Sequence, residues 1–523
     1  MFFPRRSQPA AARGPAASES DNSRPVPLDD SLVRNEAWLQ EMLGHSADLV
    51  LRRIEPAAAP GTQLLIAYMD GLIDQAVLNV HIVQALQQAP ARNAEDGDAE
   101  AWMDRLGRCI VSSGSLQTTA DRAEALSHLL KGVCVIFAEG VRLALAAEVS
   151  GGEQRSVEEP KTQSVLRGPQ RSFTENIRTN VSLVRRIIHC PELCYEERRI
   201  GKRTKTAVGL LYMKGIANEA IIATVQERLS KIDIDGVLES NYIEEYIQDR
   251  TFTPFPTLLN TERPDAAAGA LLEGQFAIMV DGTPFVLLGP VTVHKFFQSP
   301  EDYYQRFDIA VFLRLIRYSG FLISMLLPAS YIAVTTFHQE TLPTQLLISL
   351  LGQREGIPLP ALVEAFLMEL TFEVLREAGA RLPKAIGPAI SIVGALVLGQ
   401  AAVQAGIISP AMIIIVAFTA ISNFVMPQLN MAIAARLIRF GLMLAAGMLG
   451  FFGIFACLLI IAIHLTGLTS FGVPYMGPLA PLVPSSLADT FLRVPLRAMK
   501  KRPALMRPED PVRRQGGKGE GAS

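Results

Sequence analysis

The feature that most constrains this chain is an apolar block from Ala310 to Leu468. Within it, the run Ile386–Ile408 carries no charged side chain. A run of that length is sufficient for an α-helix to cross the hydrocarbon core of a bilayer. An acidic amphipathic helix directly precedes this run, and the two are joined by a Pro-containing elbow at Arg381–Lys384. The block therefore predicts a helical membrane domain in which charged and apolar helices lie side by side.

Four membrane spans are predicted, namely Ala310–Val334, Ile386–Ile408, Ala411–Met426 and Phe440–Leu465. Arg314 and Arg317 lie three residues apart near the start of the first span. We expect both to snorkel toward water on a cytoplasmic side. Pro427 is expected to kink the third span into a segment that carries Arg436 and Arg439.

The segment Pro358–Ala380 leaves the number of spans open. Four spans place the basic tail RVPLRAMKKRP on the same side as the N-terminal region, whereas a fifth span satisfies the positive-inside rule for Arg436 and Arg439. A re-entrant segment near Gly467–Pro484 would reconcile the two.

The chain before the apolar block is charged and soluble in character. The predicted organisation is a disordered tail over 1–27, an α/β subdomain over 28–148, a linker over 149–170, a second α/β subdomain with a β-hairpin over 171–308, a helical transmembrane domain over 309–470, and a C-terminal Pro/Gly segment, amphipathic helix and basic disordered tail over 471–523. The predicted fold class is thus a soluble α/β region of two related subdomains followed by a polytopic helical membrane domain of four to five or more spans.

The two soluble subdomains share a sequence pattern. The segment LLIAYMDGLIDQAVL, with Tyr68 and Gly71, resembles VGLLYMKGIANEAII, with Tyr212 and Gly215. Each follows a strand-like piece that ends in RRI, and each predicts a strand, a tight Gly turn and a helix. We interpret this as an internal duplication. The alternative is convergence on a common strand–turn–helix pattern.

Composition and charge exclude several classes of protein. A net charge of -2 gives no reason to expect nucleic-acid binding. The five scattered cysteines do not form a disulfide framework, and HCPELC (His189, Cys190 and Cys194) lacks a second Cys/His pair for a metal. The N-terminus lacks the apolar core of a secretory signal peptide. No phosphate-binding loop or nucleophile motif is present, so we expect neither an enzyme nor a cofactor.

The acidic helix supplies the first candidate site. Glu369, Glu373 and Glu377 follow one another at four-residue spacing and form a single stripe. The stripe is either the solvated face of an interfacial helix or, in several copies around an axis, a ring of carboxylates on a cation pathway. Glu364 lies on the opposite, apolar side, where an ionisable residue near a membrane is a functional candidate. The candidate ion pathway includes Glu364, Glu369 and Glu373.

The following span supplies the second candidate site. One face carries Val393, Val397, Gln400 and Gln404, and another repeats the small residues Gly387, Ser391 and Ala395. Small residues allow a neighbouring helix to approach closely. The Val/Gln face is then either an ordinary packing surface or the wall of a narrow pore.

Several long motifs carry a family resemblance over about 172–503. They are IGKRTKTAVGLLYMKGIAN, IDIDGVLESNYIEEYIQD, TPFPTLLNTERPDAAAGALLEGQFAIMVDGTPFVLLGP, FFQSPEDYYQRF, LREAGARLPKAIGPAISIVGALVLGQAAVQAG, SNFVMPQ and SFGVPYMGPLAP. In these motifs the chain resembles the A subunit of GerA-type spore germination receptors, a family that includes the SpoVAF-like proteins.

The resemblance implies a multi-pass protein of the inner membrane of a bacterial spore, with its soluble region on the core side. It also implies a homo-oligomer, a pentamer, around an ion-conducting pore, with a transporter-like B subunit and a lipoprotein C subunit as partners. The function expected from it is germinant-gated release of cations. A non-conducting scaffold or signal amplifier and a secondary transporter are the alternatives. The motifs do not decide between a nutrient receptor and the SpoVAF-like branch.

Overall fold

The computed structural model describes residues 26–513 except 58, 60, 90–98, 110–115, 150, 152–158, 161–162, 164, 166, 382–396 and 398. The candidate residues Gly387, Ser391, Val393 and Ala395 lie outside the described residues, as does most of the predicted span Ile386–Ile408. The chain separates into two compact units. Met1–Gly152 with His189–Pro191 form the first, and Glu153–Ile188 with Glu192–Ser523 form the second.

The first unit contains a five-stranded antiparallel sheet with helices packed on both faces. Its strands are β1 (Leu49–Ile54), β2 (Leu64–Met69), β3 (Leu116–Thr119), β4 (Val133–Ala138) and β5 (Ala144–Glu148), in the spatial order β1-β2-β4-β5-β3. Its helices are α1 (Leu32–Met42), α2 (Gln75–Val77, π-helical Leu78–Val83 and Gln84–Gln87), α3 (Ala99–Cys109) and α4 (Arg122–Leu130). Successive side chains of a strand point to opposite faces. Leu64 therefore packs in the cluster that contains Trp102 of α3, and Leu65 packs in the cluster that contains Leu129 of α4.

The second unit begins with a sheet of the same topology. Its strands are β6 (Leu193–Ile200), β7 (Thr206–Met213), β8 (Leu259–Thr261), β9 (Phe276–Val280) and β10 (Val286–Gly289), in the order β6-β7-β9-β10-β8. Its helices are α5 (Ile177–Arg185), α6 (Glu219–Ser230), α7 (Ser240–Ile247) and α8 (Pro264–Leu272). The predicted hairpin is present, since β9 and β10 pair antiparallel on either side of Asp281-Gly282.

The repeated sequence pattern occupies equivalent places in the two sheets. Tyr68 and Tyr212 are each the last residue but one of the second strand. Gly71 and Gly215 follow in the next turn with φ of 80° and 76°. Glycine adopts positive φ without steric cost, which explains why both turns carry it. The equal strand order and these matched positions agree with the interpretation as a duplication.

A short polar helix and several apolar helices follow the second sheet. They are α9 (Glu301–Tyr304), α10 (Phe307–Thr336), α11 (Thr344–Arg354), α12 (Ala361–Arg381), α13 (Pro410–Phe424) and α14 (Leu429–Thr466), and residues 397 and 399–404 are also helical. Among the described residues, α10 and α14 are long and apolar enough to cross a membrane, and α13 is a shorter apolar helix. Short strands β11 (Thr469–Ser470) and β12 (Val473–Pro474) come after α14.

The predicted boundaries around Pro427 are wrong. Pro427 lies in the turn between α13 and α14, instead of kinking one continuous span. The last long helix begins at Leu429, well before the predicted start at Phe440, so Arg436 and Arg439 lie inside it. The prediction excluded these two arginines because of their charge. The structure accommodates them because both face carboxylates of α12, as described below.

Helix α14 turns back on itself at Gly450, which has non-helical torsion angles of φ 61° and ψ -140°. Just before α14, Gln428 contacts Gln163, and Gln163 donates a hydrogen bond to the Asn260 carbonyl. Near the end of α14, His464 contacts Thr253 at 2.9 Å. A straight helix would separate these two ends by about 54 Å. Residues 253 and 260 are at most about 25 Å apart along the chain. Both ends of α14 therefore lie beside the second sheet, and the turn at Gly450 lies far from it.

Gly450→Ala is expected to lower the free energy of unfolding by about 1–3 kcal/mol, because alanine tolerates these torsion angles poorly. A Cβ atom at this position would also lie 2.6 Å from the His338 ring. Thermal unfolding of the purified protein in detergent measures the effect. Gly441→Ala is the matched control, since a Cβ atom there meets nothing within 4 Å. Equal stability of the two variants would contradict the strain assigned to Gly450.

Candidate functional site

A network of buried ion pairs joins α12 to the first half of α14. Arg439 Nη2 lies 2.8 Å from Glu369 Oε2 and 3.3 Å from Glu373 Oε1. Arg436 Nη1 lies 2.9 Å from Glu373 Oε2, and Arg376 also contacts this carboxylate. Glu369 is 1% exposed and Arg439 2%. Such charges remain buried only when they are paired, so the network holds the two helices together.

The predicted acidic stripe therefore has a specific environment within one chain. Glu369 and Glu373 face guanidinium groups, whereas Glu377 is exposed and pairs with Arg381 at 2.6 Å. Helical spacing predicted that the carboxylates share a face. It did not identify the arginines of α14 as partners, because helical spacing carries no information about a distant segment.

Glu364 forms a second polar contact between helices. Its Oε1 accepts hydrogen bonds from the Ser409 backbone N–H at 2.6 Å and from Ser409 Oγ at 2.5 Å. Ser409 Oγ in turn accepts from Met412 N at 3.3 Å and caps the start of α13. The carboxylate is fully buried, and Arg354 Nε lies 4.0 Å from its Oε2. An anion at a helix N-terminus is stabilised by the helix dipole, so Glu364 anchors α13 to α12.

The Val/Gln face is described in part. Val397, Gln400 and Gln404 are all exposed, and no other part of the described chain covers them. They lie at three- and four-residue spacing on one side of the helix to which 397 and 399–404 belong. Amide side chains exposed beside apolar helices require water or a polar partner, since hydrocarbon offers no hydrogen bonds.

A collar of ion pairs connects the second sheet to α10. Asp302 Oδ2 accepts from Arg314 Nε at 2.8 Å, and Asp302 Oδ1 accepts from Arg317 Nη1 at 2.7 Å. Arg314 Nη1 also lies 2.9 Å from Asp489 Oδ1. The other oxygen of this carboxylate, Asp489 Oδ2, accepts a hydrogen bond from Tyr303 OH at 2.6 Å. The prediction that Arg314 and Arg317 snorkel to water is wrong, because both are buried against these carboxylates.

The segment after α14 returns to the second sheet beside this collar. Ser470 Oγ donates to the Thr257 carbonyl at 2.8 Å, and Tyr475 OH donates to the Pro256 carbonyl at 2.7 Å. His294, close by, contacts Tyr318 OH at 3.1 Å, and burial lowers the pKa of His294 to about 4. The chain before α10 and the chain after α14 therefore both pass through the same group of buried polar side chains. The sequence predicted a re-entrant segment near Gly467–Pro484, whereas Ser470 and Tyr475 of this segment contact the residues that precede β8.

The cysteine motif lies away from these contacts. Cys194 is buried in β6, and burial raises the pKa of its thiol. A buried thiol with a raised pKa is a poor nucleophile and a poor metal ligand.

Known proteins are similar to this chain over most of its length. The family model described as Bacillus/Clostridium GerA spore germination protein matches residues 37–505. Spore germination protein KA of Bacillus subtilis is 47% identical over 95% of this chain and 90% of its own length. Spore germination protein GerLA of Bacillus cereus is 38% identical over 92% of this chain and 97% of its own length.

A solved structure also matches the N-terminal half. The crystal structure of the N-terminal domain of the A subunit of the Bacillus megaterium spore germinant receptor GerK3 is 36% identical. It covers 51% of this chain and 97% of that chain, with a TM-score of 0.41. The family model and the two relatives are described as spore germination proteins, in agreement with the prediction of a non-enzymatic protein. The chain belongs to the GerA family of spore germination proteins.

Proposed function

We propose that this protein is the A-type membrane subunit of a spore germinant receptor and that several copies surround a germinant-gated pore for cations. The main support for the pore is the face formed by Val397, Gln400 and Gln404, which no other described part of the chain covers. In a bilayer these amides need polar surroundings, and a water-filled axis between copies supplies them. A pentamer is the assembly implied by the family resemblance. The small-residue positions Gly387, Ser391 and Ala395 are proposed as packing contacts and Val393 as part of the wall.

The contacts of the helix ends support a topology with an even number of crossings. Residues before α10 and residues after α14 both bind the second sheet, so the chain leaves and returns on one side. This favours four or six crossings over five, and α14 supplies two of them through its turn at Gly450. The basic tail then lies on the same side as the second sheet, which suits the cytoplasmic, spore-core side of the inner membrane.

The proposed partners are a transporter-like B subunit and a lipoprotein C subunit, as the receptor relatives imply. A germinant signal from these partners would shift the packing of α12 against α14, where Glu369 and Glu373 meet their arginines. Two discrete packings of such a network provide a closed and an open state.

A non-conducting scaffold that couples receptors to partners is the second candidate. One observation favours it, since Glu364, Glu369 and Glu373 are all engaged within one chain and thus less available to cations. The scaffold predicts that the Val/Gln face contacts another protein and never meets ions.

Gln400→Cys and Gln404→Cys test the pore wall. We expect a charged, water-soluble thiol reagent to alter cation flux several-fold in proteoliposomes that contain the chain with its B and C partners. The wild-type cysteines are first replaced by serine. Phe418→Cys on α13, exposed on an apolar helix, is the matched control and should leave flux unchanged after treatment. If both glutamine positions are modified without any change in flux, the scaffold is favoured.

A further inference from the structure

A cavity of about 460 Å³ lies where the second sheet, the collar and the C-terminal segment meet. Helix α8 forms one wall, the end of β10 with Val291 a second, and the collar tyrosines Tyr303 and Tyr304 a third. Gln428, just before α14, also lines it. A volume of this size is in the range of small-molecule sites.

Most of the lining surface area is apolar. The aliphatic side chains that contribute are Leu259, Ala266, Ala270, Leu272, Leu288, Val291 and Pro300. Gly269 of α8 also faces the space, because a Cβ atom built there would meet nothing within 4 Å. An occupant therefore needs an apolar body to gain from this burial.

One end of the cavity carries surplus positive charge. Glu273 accepts from Lys295 Nζ at 2.7 Å and from Arg513 Nη2 at 2.8 Å, so two cations share one carboxylate. Burial alone raises the pKa of Glu273, but the charges of Lys295 and Arg513 outweigh it and the pKa is lowered. Glu273 is thus ionised at neutral pH and still neutralises only one of its two partners.

The other charged residues of the lining are already paired. Asp265 accepts from Arg263 Nη2 at 2.7 Å and from Tyr304 OH at 2.6 Å. Arg502 Nη1 lies 2.6 Å from Asp510 Oδ2. Among the residues that the structure describes, the uncompensated charge therefore lies between Lys295 and Arg513, next to the apolar space.

We propose that this cavity binds an amphipathic anion, with its anionic group on Lys295 and Arg513 and its apolar body against Leu272, Leu288 and Val291. An anion at this position supplies the missing negative charge. Its hydrogen bonds to the guanidinium and ammonium groups are charge-assisted and therefore stronger than hydrogen bonds between neutral groups. The occupant contacts Tyr303, whose hydroxyl binds Asp489, and it contacts Gln428 before α14. It therefore contacts the segment that precedes α10 and the residue that precedes α14. This inference does not depend on ion conduction.

The test uses the full chain in phosphatidylcholine nanodiscs and a decanoate that bears a diazirine. Photolabelled peptides are mapped by mass spectrometry. We expect labels within residues 259–304 that excess decanoate removes and that excess decanol removes at least fivefold less well. Gly269→Leu adds an apolar side chain at the cavity wall, where a Cβ atom meets nothing within 4 Å, and should abolish these labels. Lys295→Gln with Arg513→Gln should reduce them at least fivefold.

Arg497→Gln is the matched control, since Arg497 is an exposed arginine of the same C-terminal segment and should leave labelling unchanged. Thermal unfolding checks that every variant is folded. Two further arms identify the source of the anion. Loss of labelling in phosphatidylglycerol nanodiscs indicates a bilayer lipid, and competition by water-soluble hexanoate indicates a small carboxylate. Labelling that persists in folded Gly269→Leu, or that decanol removes as well as decanoate, would overturn the proposal.

Discussion

Asp302→Asn is expected to destabilise the protein by about 3–5 kcal/mol, the cost of breaking a buried ion pair from one side. Asp302 binds Arg314 and Arg317 through separate oxygens, and all three side chains are buried. An asparagine can accept one hydrogen bond but supplies no charge. Arg317 then lacks a counter-ion within the described contacts, and Arg314 keeps only Asp489. Denaturant unfolding of the purified chain in detergent measures the loss.

Asp308→Asn is the matched control. Asp308 lies six residues further along the chain, and its partner Arg306 is also exposed. Water screens and solvates such a pair, so little change in stability is expected. A second readout is germination of spores that carry either variant, since the collar joins α10 to α9 and to the C-terminal segment. Wild-type stability and germination for Asp302→Asn would show that the collar does not hold this junction together.

Local patterns predicted the repeated strands of the soluble region. In the first unit, the strand-like piece that ends in RRI is β1, and the strand before the Gly turn is β2. Runs of branched and aromatic residues bounded by Gly turns carry this information within a few residues. The duplicated Tyr and Gly positions could be aligned for the same reason.

The charged contacts could not be predicted, because their partners are far apart in sequence. Arg314 and Asp489 are 175 residues apart, and Arg439 and Glu373 are 66 apart. Without these partners, the physical expectation for Arg314 was snorkelling, and for Arg436 and Arg439 it was exclusion from a span. Burial of a paired charge is a tertiary property. The same limit applies to Glu364, whose partner Ser409 was recognised only as part of a turn.

Arg439→Met is expected to destabilise the protein by about 3–5 kcal/mol, because Glu369 is then buried without a counter-charge. Glu369→Leu alone also costs stability, since it leaves three guanidinium groups around Glu373. The double variant Glu369→Leu/Arg439→Met should recover most of the loss. It removes one charge of each sign and leaves Glu373 with Arg376 and Arg436. Unfolding measurements on the wild type, the two single variants and the double variant form a double-mutant cycle. The cycle gives the interaction energy between Glu369 and Arg439.

The same cycle separates a structural role of the pair from an ionic one. Glu377→Gln is the control, because this carboxylate on the same helix is exposed and pairs with Arg381. If Glu369 only holds α12 against α14, the stable double variant should conduct cations and germinate like the wild type. If Glu369 meets permeating cations, the double variant should fold normally and change cation selectivity, since the carboxylate is gone. Additive losses in the two single variants, with no recovery in the double, would mean that the pair contributes no coupling. The contact between α12 and α14 would then depend on apolar packing alone.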